Sequence, residues 1–550
     1  MRIEREPRTP ARAPAEPSRR EVLATALRLG WLGLGAGLGT GGLGGCGGGG
    51  VGSNGTGSPV LAAQSVGTVS GFGSVVVDGV RHDDSAAAVE RERADGGSDG
   101  TEMAIGQRVA LDYAAAAGGA LQLERIEVRP TLVGRVSERT DETLGVLGQT
   151  VVVNADPALG PVTVLGGSWT GADQIAIGQA VEVHAIVLGV PASAGGAGLR
   201  LLATRIEPLA TLEALRLNLP VTAVGTAGTD GRLPVRIGSL AVSLPAGASA
   251  TLGVATTVFA EAGAFDATRL SLQALRAESD PVELSAQAGV RLERVGLIAG
   301  WSGSALTLDG VSMTVDATTE RVPATLSPAD GLYARVTALR GTDARWHVSR
   351  IEAVASRSAA LLVGNVTDWS VTSRSFRVRD TRVQMDAQTT IDLASCNGTA
   401  SLANGLYVEV AGTVGSRGVL AATVRCLPEP RGTSARLTRH GRVTALDAVA
   451  RTLQLLHRPG DAALTVAWDE RTHWRTPLSA QALAALVGTT QRIEVEGLLS
   501  ADGLRLQAQQ VRLRETVADS GVGSGSTGVR TAADQSRSSS DTLQRCQSAS

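Results

Sequence analysis

Gly331-Leu332-Tyr333-Ala334-Arg335-Val336 and Gly405-Leu406-Tyr407-Val408-Glu409-Val410 are one phrase written twice: a glycine, then apolar residues at alternate positions. Alternation with period two is strand geometry, because successive side chains leave a strand on opposite faces, and a leading glycine marks a turn or bulge. Weaker copies stand at Gly106-Gln107-Arg108-Val109-Ala110-Leu111 and Gly178-Gln179-Ala180-Val181-Glu182-Val183. Upstream, a G-x-[V/I/A] start recurs at Gly67, Gly134, Gly225, Gly296, Gly364 and Gly441, with spacings of 67, 91, 71, 68 and 77 residues. Between start and phrase lies a strand-like stretch that closes on an acid and alanine, as in Val315-Asp316-Ala317-Thr318 and Met385-Asp386-Ala387. Downstream come Arg125-Ile126-Glu127, Arg205-Ile206-Glu207 and Arg350-Ile351-Glu352. Self-similarity at such a period is the mark of a repeat architecture.

Each unit therefore reads as about five short strands. A short helical or turn segment sits between the third and fourth in several units. It is clearest at 479–487, where Leu483, Leu486 and Val487 share a face. Three strands, a small helix and two more strands is the order of the five-stranded OB barrel. The expected fold is all-β: about six tandem, small, five-stranded OB-like barrels with short helical connections, strung along the chain. The units run 66–130, 131–210, 211–285, 286–356, 357–430 and 431–516.

The combination of a G-x-V start, a V-D-A-x-T stretch, a G-x-x-V-x-V strand and a closing R-I-E resembles the bacterial repeat family called domain of unknown function 5666. The resemblance spans roughly residues 66 to 515 and is best in the first, second, fourth and fifth units. The third is degenerate, keeping only a shadow of the motifs at 253–259 and 275–278, and the sixth offers Val511-Arg512-Leu513 in place of R-I-E. The resemblance implies tandem small β-barrels in an exported protein and carries no activity with it.

Composition narrows the rest. A chain of 550 residues is expected to hold several domains. The formal net charge of −2 supplies no broad field for nucleic acid, which is not expected as a partner. All 51 cationic residues are arginine. Aromatics make up only 3%, so the cores must be built from small and β-branched residues.

The N-terminus points outside the cytoplasm. Ser18-Arg19-Arg20-Glu21-Val22-Leu23 resembles a twin-arginine export signal, with the general secretory route as the alternative. An apolar, Gly-rich run from Val22 to Leu43 follows and ends in Leu43-Gly44-Gly45-Cys46, which resembles a lipobox. Small residues before the cut and a thiol at the new N-terminus are what signal cleavage and acylation require. An uncleaved span of about 20 apolar residues is the competing reading, disfavoured by the glycines. The expectation is a signal peptide over 1–45, lipidation at Cys46, and an anchor and Gly-rich tether over 46–65. Gly47 stands where an aspartate would retain the protein in the inner membrane, so the outer membrane is favoured. Residues 517–550 read as a disordered tail that contains Cys546.

Searching for chemistry yields little. Cys396 and Cys426, thirty positions apart in one unit of an exported chain, are candidates for a disulfide. Gly96-Gly97-Ser98-Asp99-Gly100 matches G-x-S-x-G, but its charged, Gly-rich setting predicts a polar loop rather than a nucleophile elbow. His82, beside Asp83 and Asp84, reads as a solvated turn before a metal site, and no residues are assigned as metal ligands. The densest aromatic and ionic patch holds Trp468, Arg471, His473 and Trp474, a candidate stacking site for a sugar or base, weighed against plain packing. No catalytic constellation emerges and no cofactor is expected. The expected protein is a lipid-anchored, non-catalytic envelope protein whose barrels bind or scaffold an envelope polymer or protein. A periplasmic small-ligand or metal carrier and an envelope hydrolase are the alternatives.

Overall fold

The computed structural model describes residues 63–84, 87–115, 121–188, 199–396, 401–430, 436–456, 462–475 and 478–514. Arg19, Arg20, Cys46 and Cys546 lie outside the described residues, as do residues 46–62 of the expected tether and the expected tail; residues 63–65, read as the end of the tether, instead begin the first strand.

The described residues are nearly all β, and six small barrels are built from them one after another. The fifth shows the plan. Its first strand, Ala359–Ser370, pairs antiparallel with Ser375–Val378, which pairs antiparallel with Thr381–Gln384. That third strand breaks and resumes at Thr390–Asp392, and both pieces run parallel to the fifth strand, Gly418–Cys426. The fourth, Tyr407–Gly415, pairs antiparallel with the fifth and with the first, closing the barrel. The cyclic order one-two-three-five-four is that of the OB barrel. The second barrel repeats it from Leu132–Arg139 to Arg200–Pro208, the fourth from Arg291–Ala299 to Trp346–Ala353, and the sixth from Arg436–Asp447 to Arg505–Arg514. The first, from Ala63–Phe72 to Leu121–Val128, adds a short strand at Ser98–Gly100.

The third unit keeps this plan although its motifs are worn. Ala214–Pro220 pairs with Ala255–Glu261, Leu233–Ile237 with Leu240–Leu244, and Leu240–Leu244 runs parallel to Ser271–Gln273. Topology outlasts motif here because the burial pattern survives: Val235, Ile237, Leu240, Val242 and Leu244 still point into the core.

Among the described residues the helical connections reduce to two short 3-10 segments, Ala172–Gln174 and Gln481–Leu486. In the second, Leu483 is buried and Leu486 half-buried, whereas Val487 faces water. A 3-10 turn brings i and i+3 onto one face, which leaves the following residue off it.

The barrels do not form a string. The first strand of the first barrel runs parallel to the first strand of the fourth, Ala63 opposite Arg291 through Val66 opposite Arg294, and then to that of the fifth, Gly71 opposite Leu361. Second and third barrels join through their first strands and share one apolar cluster. Another cluster spans the first and fifth. Contacts described below connect the first barrel to the third and sixth as well, so it touches all five others.

Candidate functional site: the junctions between barrels

Two sequence motifs resolve into backbone engineering. In the V-D-A-x-T stretch, Thr389 Oγ1 accepts the Asp386 N–H at 3.0 Å and donates to the Ala421 carbonyl at 2.8 Å, while Asp386 Oδ1 accepts the Gln388 N–H at 2.8 Å. The aspartate turns the third strand out of the barrel, and the threonine ties the break to the fifth strand. Thr319 does the same for Asp316 and Val348, and Thr163 for Asn154 and Ala203. Each carbonyl so tied lies at the register shift between the fourth and fifth strands.

Trp468-Asp469-Glu470-Arg471-Thr472 is the sixth barrel's copy of this device. Thr472 Oγ1 accepts the Asp469 N–H at 3.0 Å and donates to the Ala508 carbonyl at 2.8 Å. Trp468 takes the core position that Val315 and Met385 hold in the fourth and fifth barrels, and it meets Trp474 edge-to-face at 5.9 Å. The two tryptophans thus fill the sixth barrel rather than forming a displayed stacking pair, and of Trp468, Arg471, His473 and Trp474 only Arg471 is exposed. His473 lies against Gly100 of the first barrel, where burial and Arg475 push its pKa down. In the sequence this stretch looks like a surface patch because charged residues flank the repeat motif and mask it. The spacing from Asp469 to Thr472 was the signal that could have found it.

The hairpin between the second and third strands carries the junctions. Its tip lies across the first strand, close enough that side chains are excluded there: a Cβ on Gly134 would sit 2.9 Å from Leu147, and one on Gly364 3.0 Å from Val378. The tip residues Asp78, Leu147, Asp309 and Arg379 have positive φ, the geometry of tight hairpin turns. Asp78 reaches from the first barrel to the fourth: Tyr333 donates its hydroxyl to Asp78 Oδ1 at 2.7 Å, and Arg335 donates to the Asp78 carbonyl at 2.9 Å. Asp309 returns the contact, pairing with Arg108 of the first barrel and accepting the Val187 N–H of the second at 3.0 Å. Arg379 of the fifth barrel lies 4.7 Å from the Phe72 ring centroid of the first and 2.5 Å from Glu496 of the sixth. Asp380 beside it accepts from Arg475 at 3.0 Å and pairs with Arg512.

More ion pairs seal the first barrel to its neighbours. Arg91 grips Glu182 of the second with two bonds of 2.7 and 2.9 Å, Arg129 holds Asp280 at the end of the third unit's last strand at 2.7 Å, and Arg475 of the sixth meets Glu102 at 3.2 Å. Burial drives the Asp78 and Glu102 carboxyls above their ordinary pKa, opposed by Arg108 and Arg475 respectively. Burial also raises the Tyr333 phenol, aided by the Asp78 charge. Charges taken out of water repay their desolvation only when paired with good geometry. Here they fix which barrel faces which.

One group in the junction resembles catalytic machinery. His184 Nδ1 accepts the Arg108 N–H at 3.1 Å, so Nε2 carries the proton and donates to Glu182 Oε1 at 2.9 Å. Burial lowers the His184 pKa despite the carboxylate. Burial would raise Glu182, but His184 and Arg91 outweigh it and hold the carboxyl at about 2. Both ring nitrogens are committed and the side chain is fully buried, which makes the pair a clamp between the first two barrels.

The remaining candidates are quickly placed. Cys396 and Cys426 are joined by a disulfide, with Cα atoms 5.8 Å apart. Ser98 is exposed on a short strand opposite Glu90–Glu92, so the G-x-S-x-G match is a hairpin rather than a loop. His82 pairs with the Tyr113 hydroxyl at 2.6 Å, and burial, with Arg335, lowers its pKa to about 4. Among the described residues no group of three or more His, Cys, Asp or Glu could hold a metal, and no helix is long and apolar enough to cross a membrane.

No curated protein matches the chain. A family model described as "Domain of unknown function (DUF5666)" matches residues 133–207, 363–424 and 440–512, the second, fifth and sixth barrels. In the sixth, which lacks R-I-E, Val511, opposite Val495, stands where Ile351 stands opposite Val336 in the fourth. Of the first, second, fourth and fifth units, where the resemblance is best, the second and fifth are matched, while the first and fourth fall outside the matched segments although their pairing order is the same. Three segments of the chain are thus similar to this domain of unknown function, the last two of them in adjacent barrels, as tandem copies would be.

Proposed function

We propose that this is a lipid-anchored, non-catalytic protein of the bacterial cell envelope, in which six barrels make one rigid body that scaffolds or binds an envelope component. The observation that carries the reading is the first barrel's position: strand Ala63–Phe72, next to the proposed tether, is laid between the first strands of the fourth and fifth barrels. An anchor attached there holds the whole body, not one bead of a flexible chain. The His184–Glu182 clamp and the packed tryptophans spend on cohesion the groups that would otherwise serve chemistry or stacking. The L-G-G-C sequence before the tether supports lipidation at Cys46, and the arginine pair at Arg19 and Arg20 supports twin-arginine export. Gly47 favours the outer membrane.

Intact mass spectrometry of the membrane fraction, comparing the natural chain with Cys46→Ala, tests the anchor. A chain beginning at residue 46 with added acyl mass, lost in the variant, is expected. An unacylated chain in the soluble fraction would refute it. Capture from envelope extracts tests the scaffold, and recovery of neither a protein nor a glycan would count against it.

A further inference from the structure

Each barrel opens its fourth strand with a turn closed by a glycine whose N–H bonds back to the first strand. The pairs are Gly106 to Val69, Gly178 to Val136, Gly253 to Val221, Gly331 to Ile298, Gly405 to Val366 and Gly488 to Val443. The residue before that glycine occupies one structural position six times: Ile105, Ile177, Leu252, Asp330, Asn404 and Val487. Two are polar and have local work. Asp330 accepts the Trp301 N–H and Asn404 the Trp369 N–H, each at 2.8 Å.

The other four are apolar, and one shows what such a residue does. Ile105 is 2% exposed because it is laid against the second barrel. It shares an apolar cluster with Val164, and its carbonyl accepts from Arg205 at 2.8 Å. Gly106 beside it lies so close to that barrel that a Cβ would sit 2.6 Å from the Thr204 carbonyl oxygen. Ile177 and Leu252, by contrast, are each 66% exposed, and Val487 is 38% exposed. One exposed aliphatic residue means little. Recurrence at a position whose fourth copy is a docking knob means more.

The surface that receives Ile105 is the resumed third strand, Val164–Leu165, running parallel to Arg205–Ile206. Its counterpart in the fifth barrel is Thr390–Asp392, parallel to Thr423–Arg425. Thr390, of nearly the shape of valine, stands where Val164 stands, and Ile391 stands where Leu165 stands. This edge is open: Thr390 and Thr423 are exposed, Ile391 is 41% exposed, and Leu420 on the same strand is 43% exposed. Elsewhere the equivalent edge is taken or charged. The first barrel extends it with Ser98–Gly100, the fourth has Glu320 there, and the sixth has His473 against Gly100.

We propose that Ile177 of one copy of this chain docks on the Thr390–Asp392 edge of the fifth barrel in a second copy, repeating between molecules the contact that Ile105 makes within one. A shallow depression of about 560 Å³ beside Ile177, lined by Arg135, Gln179, Leu209 and Leu212 among others, gives the partner edge room to approach. Because the two patches differ, the contact is either made twice in a two-fold dimer, or closes into a larger ring or extends into a filament. A contact of this kind buries far less than the roughly 1,200–2,000 Å² of a stable complex, so association is weak in solution and is raised by confinement on a membrane. The inference deepens the scaffold reading by naming its partner as the chain itself, but the contact does not need the anchor to form.

The test uses the purified full-length chain in detergent, in a Cys546→Ser background, followed by sedimentation equilibrium over rising concentration. Reversible self-association is expected, weakened about 10- to 100-fold in Ile177→Asp, the loss expected for one buried aliphatic side chain. Its melting transition should be unchanged, since the residue faces water. Mixing Ile177→Cys and Thr390→Cys preparations under oxidising conditions should give an intermolecular disulfide, while Val371→Cys in place of Thr390→Cys should not. A chain that stays monomeric at every concentration, or an Ile177→Asp variant that associates like the natural chain, overturns the proposal. These readouts are independent of the acyl mass at Cys46, so failure here and failure of the anchor are separable.

Discussion

Replacing Arg108 by methionine tests whether the buried ion pairs hold the barrels in place. The Arg108 side chain is 4% exposed and its guanidinium serves two barrels: Thr68 at 3.1 Å in its own, and the Val295 carbonyl at 3.3 Å and Asp309 in the fourth. Removing it leaves the Asp309 carboxylate buried. Arg294, 3.5 Å away, remains as partial compensation. Breaking one side of a buried pair costs about 3–5 kcal/mol, and the surviving partner argues for about 3. The assay is guanidinium denaturation followed by hydrogen exchange on strands Ala63–Phe72 and Arg291–Ala299, which should lose protection together. Asp309 has φ 48, so its neutral replacement should be asparagine, which tolerates that backbone. The double variant Arg108→Met, Asp309→Asn should recover part of the loss, because it removes the uncompensated charge. A cost below about 1 kcal/mol, or a double variant less stable than either single one by the full sum, would refute the reasoning.

Other expectations follow from the same contacts. Trp468→Ala should cost about 3–5 kcal/mol as a core truncation while Arg471→Ala stays within about 0.5, and the opposite ranking in a thermal melt would restore a displayed patch. Replacing Cys396 and Cys426 by alanine opens a loop with a sequence separation of 30 and should cost about 3–4 kcal/mol in chain-entropy terms, read as loss of exchange protection confined to the fifth barrel. His82 has a folded pKa near 4, below the unfolded value of about 6.5. Its contribution is therefore whole above about pH 6.5 and is lost as pH falls toward 4, because the unfolded chain takes up the proton first. His82→Gln should flatten that segment of a stability-versus-pH curve, and an unchanged slope would show the histidine to be solvated.

The sequence by itself determined the elements and their order. Period-two alternation after Gly331 and Gly405 placed the fourth strands, the recurring G-x-V starts placed the first strands, and their order announced an OB-like barrel, because strand burial is written in nearest-neighbour spacing. It also marked Cys396 and Cys426, but not the distance between them. Only the tertiary structure decided that the barrels gather around the first one. Pairings such as Ala63 with Arg291 and Gly71 with Leu361 join residues hundreds of positions apart, and no local pattern encodes which of six similar first strands will lie side by side. The same holds for Trp468. Its neighbours in sequence are charged and suggest a surface, whereas its place is set by the Asp469–Thr472 turn and the fifth strand, which a single repeat read in isolation does not reveal. Hairpin tips such as Asp78 and Asp309 read as ordinary turns for the same reason. A turn residue becomes a junction only when a second barrel supplies the arginine or tyrosine to meet it.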